Sequence, residues 1–126
     1  MCEMTNIKTA YGVNQVASHK KDCVSNIINS AHSNDIISKI VLFGSVTRKD
    51  CRIQSDIDLA IFGTYSRSKM LKSKQYREFL AKIRHFNKKQ SYDILYFESE
   101  QYPKVQSSIR EEIDKGIVLY DREVVL

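Results

Sequence analysis

Asp56 and Asp58 stand two residues apart in Asp56-Ile57-Asp58-Leu59-Ala60-Ile61-Phe62, and a third acid opens the run Asp93-Ile94-Leu95-Tyr96-Phe97. Both segments otherwise read as apolar strands. An ionised carboxylate taken out of water costs several kcal/mol unless it is paired or bound to a cation. Alternate side chains on a strand share a face, so Asp56 and Asp58 project together and raise one another's pKa unless a divalent cation supplies the missing charge. Hard oxygen ligands suit magnesium or manganese, with positions left over for water and substrate phosphate.

Upstream, Gly44-Ser45 closes the apolar run Ile40-Val41-Leu42-Phe43. At a strand end that turns into a helix, backbone N–H groups are free and the helix dipole attracts anions. Gly44 lets a phosphate approach the main chain and Ser45 adds a hydroxyl. A phosphate-binding loop followed by a cation-binding strand is the minimum apparatus of nucleoside triphosphate chemistry.

These residues need elements to hold them. Val16, Cys23, Val24, Ile27, Ile28 and Ala31 recur at helical spacing, which predicts a first helix over about 14–32 with Asn14 as its cap. Residues 38–43 form a buried strand, a short helix opens at Ser45, and residues 56–62 form a second strand ended by Gly63. Leu71, Tyr76, Phe79, Leu80, Ile83 and Phe86 set out one helix over about 66–87, and residues 92–97 a third strand. Val105, Ile109 and Ile113 mark a last helix, stopped by Gly116 as its C′ residue, before a final strand at 117–120. The expected order is α, β, α, β, α, β, α, β, a small α/β (α+β) sandwich on about four strands whose parallel or mixed pairing the pattern leaves open.

Length and composition bound the rest. The 126 residues are close to the usual length of one domain, so residues 1–126 are read as a single unit with its core at about 14–121. With 42% hydrophobic and 28% charged residues the chain has material for a core and is not broadly disordered. Four glycines and one proline exclude collagen-like, linker-rich and many-turned all-β architectures. The apolar runs fall far short of the ~20 residues that cross a bilayer, and Met1-Cys2-Glu3-Met4 does not read as a secretory leader, so the expectation is a cytoplasmic protein without a membrane span. Cys2, Cys23 and Cys51, odd in number and widely spaced, read as reduced thiols, and with His19, His32 and His85 they form no recognisable zinc motif. Between Arg67 and Lys89 nine basic residues face a single acid, Glu78, so this stretch carries more positive charge than the whole chain's net +5.

Val41-Leu42-Phe43-Gly44-Ser45, ten residues, then Asp56-Ile57-Asp58-Leu59 resembles the signature of the minimal nucleotidyltransferases, small members of the DNA polymerase β-like superfamily. Asp93 matches that family's third acidic position, and Gly116-Ile117-Val118-Leu119-Tyr120 is similar to its closing segment. The resemblance implies a polymerase β-like fold with an about four-stranded mixed sheet flanked by helices. It implies that Gly44 and Ser45 hold the triphosphate of ATP, and that Asp56, Asp58 and Asp93 bind two magnesium ions, replaceable by manganese, and carry the catalysis. Arg48 falls where relatives often have a base and would neutralise phosphate, while Lys49 replaces a glycine common in relatives. The chemistry implied is in-line transfer of a nucleoside monophosphate.

Many proteins of this family resemble the antitoxin half of a module whose other half is an all-helical HEPN ribonuclease, and transfer AMP from ATP to a tyrosine of that toxin. Nothing in these 126 residues resembles the extra helical domain that cradles the acceptor in the related aminoglycoside enzymes, so a second protein is expected to complete the site. Two other readings stand beside this one. The basic segment 67–89 suits transfer to RNA, or the acceptor is a small hydroxyl compound. Alternatively the chain is a non-catalytic binding module that masks a partner.

Overall fold

Lys39–Phe43 and Ile57–Gly63 combine β-branched residues with nearly complete burial, and they pair antiparallel at the centre of a four-stranded sheet. A computed structural model describes residues 2–124. In chain order its elements are β1 (Met4–Thr9), β2 (Gly12–Ala17), α1 (Lys21–His32), β3 (Lys39–Phe43), β4 (Ile57–Gly63), α2 (Arg67–Lys72), α3 (Lys74–Phe86), β5 (Tyr92–Glu98), α4 (Ser107–Asp114) and β6 (Ile117–Asp121). The sheet runs β5-β4-β3-β6. β4 and β5 are parallel, whereas β3 is antiparallel to both neighbours, so the sheet is mixed.

Period-two alternation sorts the strands into two apolar clusters. Ile40, Leu42, Ile57, Leu59 and Ile61 pack with Val24 and Ile27 of α1 and Phe79 and Ile83 of α3. Val41, Phe43, Ala60 and Phe62 pack on the other face with Ile113 of α4 and with Tyr102. Asp58 shares the strand parity of Ala60 and Phe62, and therefore lies on the α4 side of the sheet.

The N-terminal quarter differs from its expected form. Residues 4–17 are a β-hairpin, with Thr9 opposite Gly12 and Met4 opposite Ala17, and the first helix begins only at Lys21. Val16 is fully buried as a strand residue, so one apolar position was compatible with both periods. Asn14 caps nothing: its Nδ2 donates to Thr9 Oγ1 at 2.7 Å across the hairpin. Gly12 supplies the turn's positive φ of 134°.

Smaller departures follow from local hydrogen bonds and crowding. In place of the short helix expected to open at Ser45, a 3₁₀ turn, Ser45–Thr47, follows Gly44 directly. The expected helix over 66–87 is two helices, because Ser73 is extended (φ −69°, ψ 129°) and accepts from the Tyr76 N–H, capping α3 where α2 ends. Leu71 and Phe86, expected in the buried stripe, are 47% and 50% exposed. Phe86 shares Phe79's angular position but is the last residue of α3, so the stripe outruns its cover. Val105 precedes α4, which starts at Ser107. Gly116 is not a left-handed cap: a Cβ there would lie 2.5 Å from the Leu42 carbonyl oxygen and 2.7 Å from Val41 Cγ1, so the glycine permits close backbone approach.

The cysteines also depart from expectation. Cys2 and Cys51 form a disulfide, with Cα atoms 5.8 Å apart, while Cys23 is free and buried. The hairpin folds the start of the chain back onto the loop after β3, a proximity that a sequence separation of 49 could not reveal. No described helix is long and apolar enough to cross a membrane.

Candidate active site

The sheet brings the three acids to one end. β3 ends at Phe43, whose register partner is Asp58 on β4, and Asp58 is in turn the partner of Asp93 on parallel β5. Register partners on adjacent strands point to the same face, so Asp58 and Asp93 are direct neighbours on the α4 side. Asp56 lies two residues before Asp58, just ahead of β4. Asp56 and Asp93 are exposed and Asp58 is half-buried, which puts the acids on open surface.

Gly44 completes this corner. With φ 80° and ψ −158° it turns the chain out of β3, and its Cα lies against Asp58 so closely that a Cβ would fall 2.1 Å from Asp58 Oδ2. The absent side chain is the space the carboxylate uses. Thr47 locks the turn, its hydroxyl donating to the Gly44 carbonyl at 2.7 Å and its N–H reaching the same oxygen at 3.2 Å. Ser45 stands half-buried at the head of this turn, next in the chain to Gly44. Arg48 follows it, exposed and paired with Asp50 (Nε to Oδ1, 3.2 Å), an ion pair that is weak in solvent.

The electrostatics belong to a site short of positive charge. Burial pushes the Asp58 carboxyl above its ordinary range, the charges of Asp93 and Asp56 push it further, and Arg48 pulls it back. Asp58 is thus the group on which the charges of the other three converge. The carboxylates do not close on a single point. Among the described residues the trio of His, Cys or acid ligand atoms lying within 4.8 Å of one another is Cys2, His19 and Cys51, not the aspartates. A divalent cation bound there would have to draw the three carboxylates closer together. The oxygen donor set, the crowded Asp58 and the solvent-facing positions suit magnesium or manganese with room for water and phosphate.

One residue of this corner was not foreseen. Lys20, at the end of the short turn after β2, is only 3% exposed, donates to the Ile53 carbonyl at 2.9 Å and also bonds Gln90 Oε1. Gln90 Nε2 reaches the Ser55 carbonyl at 3.2 Å. This network buttresses the segment leading into Asp56, and burial lowers the Lys20 ammonium's pKa while Cys23 and, to a smaller extent, Asp56 oppose the shift. A lysine in a run of polar residues carries no sequence mark of such a role; the clue would have needed the hairpin.

Residues 25–124 match the family model described as Polymerase beta, Nucleotidyltransferase. The match covers most of the chain, and its mixed four-stranded sheet with flanking helices agrees with that fold. This chain belongs to the polymerase β nucleotidyltransferase family, and transfer of a nucleotidyl group is the general activity that membership indicates. No curated protein matches the chain.

Proposed function

We propose that the chain is a magnesium-dependent nucleotidyltransferase that moves AMP from ATP to a tyrosine hydroxyl of a helical HEPN-type toxin and so acts as its antitoxin. The observation that supports this reading best is the openness of the site: Asp56 and Asp93 are exposed around a half-buried Asp58, so an acceptor delivered by a second protein meets no wall. Gly44 and Ser45 hold the triphosphate, and Arg48 leaves Asp50 for phosphate oxygens. Asp56, Asp58 and Asp93 hold two magnesium ions, which when bound supply the charge that activates the hydroxyl and stabilises departing pyrophosphate. The acceptor oxygen bonds to the α-phosphorus, the bond to pyrophosphate breaks, and the hydroxyl proton is released. The test is mass spectrometry of a co-purified helical partner given ATP and magnesium. One added AMP unit, lost with Asp56→Ala, is expected; no addition, with Asp56→Ala neutralising the partner as well as the parent chain, defeats the reading.

A second acceptor class has its own support. All nine basic residues between Arg67 and Lys89 are exposed along α2, α3 and the following turn, a surface able to track a phosphate backbone. Salt-sensitive RNA binding, lost when Lys72, Lys74 and Arg77 are neutralised and accompanied by nucleotide addition to RNA, would replace the toxin with a nucleic acid. A small hydroxyl compound as acceptor would leave both binding readouts silent while ATP turnover persisted. If Asp56→Ala, Asp58→Ala still neutralises a toxin, the chain acts by masking alone.

A further inference from the structure

Cys2, His19 and Cys51 come from three separate segments: the lead-in to β1, the turn after β2, and the loop between Ser45 and Asp56. Their ligand atoms nevertheless all lie within 4.8 Å of one another. A tetrahedral zinc ion, with Zn–S of about 2.3 Å and Zn–N of about 2.0–2.1 Å, needs ligand separations of about 3.6–3.8 Å, so the two sulfurs, bonded to each other in the disulfide, must part on reduction to hold it. The cluster is held by backbone bonds on each side. The Cys2 N–H donates to the Lys49 carbonyl at 2.8 Å, and the Ser18 N–H donates to Glu3 at 2.8 Å. Lys20, next to His19, is pinned to the Ile53 carbonyl. His19 Nε2 faces the Arg52 carbonyl at 3.3 Å; with that nitrogen donating its proton, Nδ1 keeps the free lone pair. A backbone carbonyl orienting the second nitrogen is the usual outer contact of a metal-binding histidine.

We propose that this corner, once the Cys2–Cys51 bond is reduced, is a binding site for one thiophilic divalent cation, zinc in the first instance, with Cys2, Cys51 and His19 as ligands and a fourth position open to water. Two thiolates and an imidazole are the donors such an ion selects, in contrast to the all-oxygen aspartate site. A phosphine reductant breaks the S–S bond with two electrons and is itself oxidised to the phosphine oxide by taking the oxygen of one water, whose two protons go to the sulfurs; each thiol then releases its proton when the metal binds. Cys51 is 4% exposed and His19 is exposed, so the ion would sit at the rim, with solvent on the histidine side. A filled site braces the middle of the loop whose ends carry Ser45 and Asp56.

The test is a cobalt(II) titration of the full chain, reduced and freed of phosphine without oxygen, followed by zinc. Thiolate-to-cobalt charge-transfer absorption saturating at one equivalent and displaced by zinc is expected. The oxidised protein and the Cys2→Ser, Cys51→Ser double variant should show none, and His19→Ala should bind at least tenfold more weakly. The band should persist in Cys23→Ser and in Asp56→Ala, Asp58→Ala, because carboxylates give no such absorption. Circular dichroism confirms that each variant folds. Absence of the band in parent protein with all three thiols titrating free, or its survival in the double cysteine variant, overturns the proposal.

Discussion

Asp58 occupies the space that a side chain at position 44 would fill: a Cβ on Gly44 would lie 2.1 Å from Asp58 Oδ2. The signature's glycine and its second aspartate are thus one steric unit, joined by the antiparallel pairing of β3 and β4.

Gly44→Ala therefore displaces the carboxylate and places an L side chain at φ 80°. We expect about 10²-fold lower nucleotidyl transfer from misplacement of the site and about 1–3 kcal/mol of lost stability, because φ 80° with ψ −158° is a backbone region essentially confined to glycine. Steady-state kinetics and denaturant melts check both. Gly44→Ala combined with Asp58→Ala should be no slower than Asp58→Ala alone; additive losses would separate the two residues.

Asp58 should also make the chelated protein sensitive to pH. Its folded pKa is raised above 3.8 by burial and by Asp93 and Asp56. The folded state then binds the proton more tightly than the unfolded chain, and this group's contribution to stability is full below about pH 3.8 and lost as pH rises through the folded value. Asp58→Asn should melt higher than the parent at neutral pH with chelator present, and the gap should close in acid. Equal melting temperatures at neutral pH would contradict the repulsion.

Lys20→Met should act on the site from behind. It leaves the Ile53 carbonyl and Gln90 Oε1 without their ammonium donor, at about 1–3 kcal/mol, and removes a positive charge that acts on Asp56. Urea melts report the first effect. Tighter manganese binding by calorimetry, returned towards the parent's by Lys20→Arg, reports the second, because an ammonium beside Asp56 repels the cation; unchanged binding would limit Lys20 to scaffolding.

Gly116→Ala tests packing away from the acids. The added carbon meets the Leu42 carbonyl oxygen at 2.5 Å and Val41 Cγ1 at 2.7 Å, so destabilisation of about 1–3 kcal/mol is expected from overpacking. The specific activity of the folded fraction should stay near the parent's. A variant as stable as the parent would show that β6 can shift.

Much of the fold was legible because its periods are unambiguous. Ile57, Leu59 and Ile61 alternate against Asp58 and Ala60, and only a strand satisfies that pattern. The hairpin at 4–17 was not legible. Its two strands are short and half-exposed, its Ala10-Tyr11 turn lacks the usual hairpin residues, and Val16 suited a helix equally well. Ser73 broke one predicted helix into two because a serine reads alike as a helix interior or a cap until the backbone chooses.

By itself the amino-acid order determined which groups are available: carboxylates at Asp56, Asp58 and Asp93, and a glycine-serine turn at Gly44-Ser45, because residue type and short spacing set donor chemistry and strand parity. Tertiary structure alone decided what lies beside what. It made Asp93 the register partner of Asp58, drew buried Lys20 under the Asp56 segment, and joined Cys2 to Cys51 next to His19. Those neighbours are separated by tens of residues, and contacts over such distances arise from strand pairing and hairpin docking, which no local pattern encodes.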